Sequence, residues 1–148
     1  VAAGINGKMN EVSAAFGLLQ LGRVDAALAR RREVAQHYRR LLAGIKGITL
    51  PSELRHEANY GYFPILVGSS YPLDRDTLFQ KLREHGIVAR RYFHPLISAF
   101  PMYRDLPSAA PDNLPQAARV ASQVICLPIF PALPEGDIVR IAGLISSA

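Results

Sequence analysis

Cysteine, lysine and tryptophan are scarce in this sequence of 148 residues, which has one cysteine, three lysines and no tryptophan. The single Cys126 excludes an internal disulfide and cannot supply the cysteine pairs of a zinc site. The four histidines are scattered, and no two are four residues apart as a helical metal-binding pair would be. We therefore expect no bound metal.

Long apolar runs are also missing. No stretch reaches the roughly 18 apolar residues that a membrane-spanning helix needs, and the sequence does not open with the charged and apolar segments of a signal peptide. A lone cysteine is typical of a reducing compartment. We expect a cytoplasmic protein without a membrane partner. Because the sequence starts at Val1, within a glycine-containing stretch typical of a loop, we also expect it to be a piece of a longer chain.

Positive charge comes almost entirely from arginine. Lysine and arginine number 17 against 12 for aspartate and glutamate, which gives a formal net charge of +5 and favours polyanionic partners. The arginine clusters at 30–32 and 39–40 have helical spacing, which predicts a solvated helix face. Nucleic-acid binding favours aromatic side chains among the basic residues, and the only Phe, Tyr or Trp in residues 30–40 is Tyr38. We expect no nucleic-acid partner.

The order of the predicted elements indicates an α+β fold. The length suits a single domain, which is too small for a two-lobed enzyme. Apolar residues spaced by three and four predict a long helix over 9–42, interrupted or kinked at Gly22. Further helices are predicted at 74–86, 116–124 and 135–145, strands at 62–67, 87–93 and 125–128, and irregular chain at 96–115. Helices packed on a small sheet of about three strands follow from this order.

Two details of these elements carry consequences. A continuous helix over 9–43 would be about 50 Å long at 1.5 Å per residue. Part of its apolar face therefore needs another domain or subunit as a partner. Pro64 cannot donate a hydrogen bond to a neighbouring strand, which predicts that its strand is at an edge or unpaired there.

No complete catalytic set is visible. The sequence has neither a Gly-x-Ser-x-Gly elbow nor a phosphate-binding Gly-x-x-x-x-Gly-Lys loop. Cys126 lies in the apolar run Val-Ile-Cys-Leu-Pro, which predicts core packing and not a nucleophile. The segment from Arg90 to His94 combines two cations, two aromatic rings and a histidine at a predicted strand end, and suits an anionic sugar or nucleotide. From the residues alone, a structural role for it is an equally good interpretation.

Several motifs resemble a known family. The first motif reads Gly4-x-Asn6-x-Lys8-Met9-x-Glu11-x-x-Ala14-Ala15-x-Gly17-x-x-Gln20-Leu21, and the others are Arg31-Arg32, Tyr38, the strand 62–67, Leu82-x-x-x-Gly86-Ile87, Tyr92-x-x-Pro95-Leu96 and Leu127-Pro128-Ile-x-Pro131. In this order they resemble the C-terminal domain of the DegT/DnrJ/EryC1/StrS aminotransferases. These are pyridoxal-phosphate (PLP) enzymes that aminate keto groups on nucleotide-linked sugars. The resemblance spans nearly the whole chain.

The resemblance implies a particular domain organisation. It implies that residues 1–148 are the C-terminal small domain of a fold-type I aminotransferase, with a small, mainly antiparallel sheet, and that 1–22 form the linking loop and interdomain helix. The large PLP-binding domain, with its Schiff-base lysine, is absent. Lys46 and Lys81, both expected on helices, occur in other sequence contexts than that lysine. This chain alone is therefore expected to be inactive, with no catalytic residue of its own.

The resemblance also implies roles for single residues. It assigns Asn6 to the cofactor phosphate of a neighbouring subunit, which implies a homodimer. It assigns Lys8, Arg90 and Arg91, together with Tyr92 and His94, to the nucleotide-linked keto sugar. The implied function is transfer of an amino group, with glutamate as the expected donor, in the biosynthesis of cell-surface polysaccharide or natural-product sugars. The alternative is a non-catalytic module for nucleotide-sugar binding or dimerisation.

Overall fold

The computed structural model describes residues 7–52 and 58–147. Within these ranges the chain forms five α-helices and three short strands. In chain order they are α1 (Glu11–Leu21), α2 (Val24–Leu42), β1 (Ile48–Thr49), β2 (Phe63–Val67), α3 (Arg75–Glu84), α4 (Pro115–Gln123), β3 (Val124–Leu127) and α5 (Glu135–Ser146). Three 3-10 turns separate α3 from α4, at Ile97–Ala99, Pro107–Ala109 and Pro111–Asn113. They confirm the irregular segment predicted for 96–115.

The long helix predicted at the N-terminus is a bent pair of helices. The axes of α1 and α2 differ by 55°, and α1 ends at Gly22, which confirms the predicted interruption. The Asn10 side chain caps α1 by accepting a hydrogen bond of 2.8 Å from the Ser13 amide. No residue of α1 is buried, whereas α2 buries Val34, Ala35, Tyr38 and Leu42.

None of the described helices, taken singly, has the length and apolar composition that a membrane-spanning helix requires. Only α1 and α2 taken together, as a bent pair, have the required length and composition.

The sheet is antiparallel, in the order β1-β2-β3. β3 pairs along most of β2, from Phe63 opposite Leu127 to Leu66 opposite Val124, whereas β1 pairs only with Leu66 and Val67. Pro64 is therefore beyond the end of β1, and β2 has an open edge there as its proline predicts. Alternate residues of β2 are buried, because successive side chains of a strand point to opposite faces.

The core lies between the sheet and the helices α2, α3 and α5. Apolar side chains from these elements form one cluster, in which Ile65 of β2 and Ile125 of β3 are completely buried. Two tyrosines join this core through their hydroxyl groups: Tyr71 donates to the Ile145 carbonyl at 2.5 Å and Tyr38 to the Pro128 carbonyl at 3.2 Å. Burial raises the pKa of both hydroxyls above 10, so both stay protonated donors at neutral pH.

The strand predicted at 87–93 is wrong, although the predicted number of strands is right. The Ile87 amide donates to Leu82 and the Ala89 amide to Ile87. Because these amides are used in local turns, only Arg90 makes a bridge, to Cys126. The third strand is β1, whose two residues are too few to produce a recognisable alternation.

Candidate functional site

A pair of backbone hydrogen bonds fixes Arg90 beside the sheet. Its amide donates to the Cys126 carbonyl at 3.0 Å and its carbonyl accepts from the Cys126 amide at 2.7 Å. Cys126 itself is buried, which confirms the predicted core position. Burial also raises the pKa of its thiol, so the thiol is a poor nucleophile at neutral pH.

The segment after α3 and one face of α3 enclose a groove of about 520 Å³. Phe79 and Arg83 of α3 form one wall. The other wall is formed by residues 87–92 and His94. The structure thus brings together four of the site residues predicted from the sequence, namely Arg90, Arg91, Tyr92 and His94. The peptide bonds before Phe93 and Pro95 are both cis.

Arg91 is held in place by contacts from α3. Its Nη1 donates to Asp76 Oδ1 at 2.6 Å, and its guanidinium lies 4.7 Å from the centre of the Phe79 ring. The hydrogen bond from Arg91, together with the charge of the neighbouring Arg75, holds the pKa of Asp76 below its usual value. Arg91 therefore presents a cation whose orientation is set before any ligand arrives.

Asp76 also contacts a buried arginine. Arg75 is only 5% exposed, and its Nη1 donates to the Ala121 carbonyl of α4 at 2.9 Å. The Arg75 Nε is 2.8 Å from Asp76 Oδ1, close enough for an ion pair, although the angle does not make it a hydrogen bond. One carboxylate thus connects a buried arginine to an arginine of the groove.

Arg83 and Arg90 differ from Arg91 in their partners. Both line the groove and are exposed. Among residues 7–52 and 58–147, neither side chain forms an ion pair with a carboxylate. Guanidinium groups bind phosphate oxygens in a bidentate manner. These two side chains are therefore available to an anionic ligand.

Three aromatic rings cluster where the groove reaches Tyr92. The rings of Tyr92 and Phe93 are stacked with centroids 5.2 Å apart. Tyr62, just before β2, meets both rings edge-on at 5.3 and 6.1 Å. All three remain exposed, Phe93 by 67%. The cluster gives the groove a flat apolar surface beside its cations.

The remaining site predictions fall elsewhere. Asn6 lies outside the described residues. Lys8 is exposed ahead of α1 and does not line the groove. In the part of the chain that the structure describes, no three side chains of His, Cys, Asp or Glu are grouped as a metal site.

The sequence analysis did not single out Phe79 and Arg83, which line the groove, or Asp76, which contacts Arg91. Phe79 and Arg83 are four residues apart on a helix that the sequence does predict, so they share a face. The sequence does not show that this face of α3 lies against residues 87–92, because contacts between separate segments depend on the tertiary structure.

The structure places the two lysines that lie beyond α1 away from the groove. Lys81 donates to the Leu144 carbonyl at 3.0 Å on α5. Lys46 lies in the turn after α2 and not on a helix as predicted. None of the three lysines lines a described groove.

Solved structures show the same fold. The structure of DesI in the presence of its TDP-sugar product matches with a TM-score of 0.87 and 32% identity, over 97% of this chain and 36% of that chain. DesV from S. venezuelae, in complex with a ketimine intermediate, matches with a TM-score of 0.85 and 27% identity, over 99% of this chain and 38% of that chain. The fold is that of the C-terminal small domain of a sugar aminotransferase.

The sequence comparisons identify the family. Residues 1–146 match the model of the DegT/DnrJ/EryC1/StrS aminotransferase family. The chain is 46% identical to dTDP-4-amino-4,6-dideoxy-D-glucose transaminase from Escherichia coli, over 97% of this chain and 39% of the relative. It is 30% identical to GDP-perosamine synthase from Vibrio cholerae, over 96% of this chain and 38% of the relative. The chain belongs to this family and spans less than two fifths of these relatives.

Proposed function

We propose that this chain is the C-terminal domain of a PLP-dependent aminotransferase that transfers an amino group from glutamate to a nucleotide-linked keto sugar. The pathway class is the biosynthesis of cell-surface polysaccharide or natural-product sugars. The observation that carries the proposal is the groove of Arg83, Arg90 and Arg91 beside exposed aromatic rings, in a chain 46% identical to a dTDP-sugar transaminase. A cytoplasmic location stays a prediction from the sequence.

Within this activity the described residues bind and orient the substrate. The diphosphate of a nucleotide sugar carries negative charge along its length, and Arg90 and Arg91 present guanidinium groups to it along one wall of the groove. His94 lines the same groove and supplies a ring nitrogen for a hydroxyl or phosphate oxygen. Lys8, ahead of α1, is proposed to contact the substrate from outside the groove.

The cofactor belongs to the rest of the longer protein. When bound, PLP supplies the chemistry that carries the amino group from donor to acceptor. We propose that residues outside this chain hold it and that Asn6 contacts its phosphate across a homodimer. Residues 1–22 are proposed to form the linking loop and interdomain helix. The isolated chain is proposed to be inactive because the Schiff-base lysine is proposed to belong to the large domain.

The exposed surface of α1 supports this organisation. Its large apolar side chains are 63–81% exposed, as at Phe16, Leu18 and Val12, and they lie around the helix and not on one face. A helix that is apolar on all sides is normally buried in a larger structure. The missing large domain is the proposed cover.

The test uses the full-length protein and matched variants. It is expected to show the visible absorbance of bound PLP and to convert a keto-sugar nucleotide and glutamate into the amino sugar, detected by mass spectrometry. Arg90→Ala is expected to raise KM for the sugar nucleotide by about tenfold to a hundredfold, because one charge-assisted hydrogen bond contributes about 1.5–3 kcal/mol. Arg104→Ala is the control, since Arg104 is exposed and does not line this groove.

Two outcomes separate the parts of this proposal. A full-length protein that binds no PLP contradicts the enzymatic function. An unchanged KM for Arg90→Ala contradicts the role of the groove.

The alternative from the sequence is a non-catalytic module for nucleotide-sugar binding or dimerisation. The same groove supports it, because anion binding does not require catalysis. Nucleotide-sugar binding in calorimetry, without product formation by the full-length protein, would favour the module. Salt-sensitive binding of short DNA alone would contradict both functions.

A further inference from the structure

The surface formed by Tyr62, Tyr92 and Phe93, here called the aromatic platform, borders the groove at Tyr92, and the proposed function gives Tyr62 and Phe93 no ligand contact. Its rings are exposed by 51%, 37% and 67%, and exposed aromatic side chains in contact with one another are unusual on a surface without a ligand or partner. The platform is not buttressed by the core, because β2 points Phe63 inward and the preceding Tyr62 outward. These three rings therefore form one exposed aromatic surface that is open to a ligand.

The geometry of the platform suits a flat ring. Tyr92 and Phe93 are stacked at an angle of 25° between their planes. Tyr62 stands nearly perpendicular to both, at 79° and 76°. A third planar ring placed on this pair continues the stack, and Tyr62 borders it on one side. A planar nucleobase has the size and the π-face for this position.

The position of the platform identifies the kind of molecule. Tyr92 belongs to the platform and also lines the groove that contains Arg83, Arg90 and Arg91. A single ligand could therefore contact the guanidinium groups of Arg83 and Arg90, which have no carboxylate partner among the described residues, and the aromatic surface beside them. A molecule that joins a planar base to a diphosphate matches both features. Inorganic phosphate or pyrophosphate matches only the cations, and a purely apolar partner matches only the rings.

We propose that the base of the nucleotide-linked sugar stacks on the aromatic platform, with its diphosphate on the arginines of the groove. This inference rests on the proposed function and assigns Tyr62 and Phe93 as residues that bind the nucleoside part of the substrate. Stacking is tolerant of base identity. The platform therefore supplies affinity for a nucleotide as such, and discrimination between nucleotides lies with other contacts.

The experiment compares dTDP with inorganic pyrophosphate as probes for the 148-residue chain. Calorimetry is expected to give tighter binding for dTDP. Phe93→Leu keeps the apolar bulk but removes the ring, and is expected to weaken dTDP binding by about fivefold to a hundredfold, the range for loss of one base–aromatic stack. Binding of pyrophosphate is expected to be unchanged. Tyr62→Leu is expected to act in the same direction.

A control variant and a spectroscopic readout make the test specific. Phe100→Leu changes another exposed phenylalanine, outside the platform and the groove, and is expected to leave both affinities unchanged. In proton NMR, the thymine resonances of bound dTDP are expected to move upfield through the ring currents of Tyr92 and Phe93. This shift is expected to be smaller in Phe93→Leu. A role in folding alone would not produce such a shift.

The possible failures are distinguishable. Equal affinity for dTDP and pyrophosphate, with no effect of Phe93→Leu, overturns the platform and leaves the phosphate-binding groove intact. Absence of binding for both probes overturns the platform together with the role of the groove. If Phe93→Leu abolishes self-association in sedimentation and leaves dTDP affinity unchanged, the platform is an interface between copies of the chain and the proposal is wrong.

Discussion

Asp76→Asn tests whether one carboxylate organises the wall of the groove. The substitution preserves the shape of the side chain and removes its charge. Asp76 Oδ1 is 2.6 Å from Arg91 Nη1 and 2.8 Å from Arg75 Nε. In the variant, both guanidinium groups lose their anionic partner, and the Arg75 group is buried.

The magnitude follows from the exposure of the partners. The Asp76 side chain is 62% exposed and Arg91 37%, so their pair contributes only about 0.2–1 kcal/mol. The contact with Arg75 is less screened because Arg75 is 5% exposed, and we assign it about 1 kcal/mol. The free energy of unfolding is expected to fall by about 1–2 kcal/mol. For a chain of this length that corresponds to a fall in Tm of about 3–6 °C.

The matched control is Asp74→Asn, which changes the aspartate two residues before Asp76. Asp74 caps α3 by accepting a hydrogen bond from the Thr77 amide at 2.7 Å, and asparagine caps a helix equally well. Both variants remove one negative charge near the start of α3, so the helix dipole affects them alike. Asp74→Asn is expected to change Tm by no more than about 2 °C.

The pH dependence gives a second check. Because folding lowers the pKa of Asp76 below its unfolded value of 3.8, its contribution to stability is fully present above that value. It is lost as pH falls through the folded pKa. The difference in Tm between the wild-type chain and Asp76→Asn is therefore expected to persist at pH 7 and to shrink below about pH 4. Thermal unfolding followed by circular dichroism measures both quantities. Equal stability of the wild-type chain and Asp76→Asn at pH 7, or equal losses in Asp76→Asn and Asp74→Asn, would contradict this role of Asp76.

Further predictions concern the backbone, the core and the surface. Gly47→Ala is expected to lower the free energy of unfolding by more than about 2 kcal/mol in urea, because Gly47 has a φ of +83° and the new Cβ would lie 2.2 Å from the Tyr71 amide nitrogen. The control is Gly44→Ala, expected to cost only about 1 kcal/mol, because Gly44 has a similar φ of +79° but open space around it. Ile65→Ala, in the middle of the core, is expected to lower the free energy of unfolding by about 2–5 kcal/mol. The wild-type chain is expected to self-associate in sedimentation through α1, and Phe16→Ser to reduce this association; a strictly monomeric wild-type chain at high concentration would contradict it.

Local signals in the sequence predicted most of the elements. The helix α3 could be predicted because its cap at Asp74, its apolar spacing and its terminal Gly86 all lie within one short segment. The break at Gly22 and the helix α5 were readable for the same reason. β1 was not, because a two-residue strand is defined by its partner Val67 and not by its own composition.

The sequence predicted one wall of the groove and not the other. The segment from Arg90 to His94 was identified as chemically suited to an anionic sugar or nucleotide, and the structure does collect these side chains in one groove. Its conformation was predicted wrongly, because hydrogen bonds to Leu82 and Ile87 that stop a strand from forming depend on how α3 ends. The residues of the opposite wall were not singled out at all.

The sequence predicted the helices, two of the three strands and the chemical types available at the site, because capping, periodicity and charge are properties of neighbouring residues. The tertiary structure alone decided which of those residues act together. Arg91 meets Asp76 and Phe79, and Tyr92 meets Tyr62, only because packing of α3 and β2 against one core brings separate segments within a few ångströms. Contacts of this kind depend on distances in space, which a linear pattern of residues does not contain.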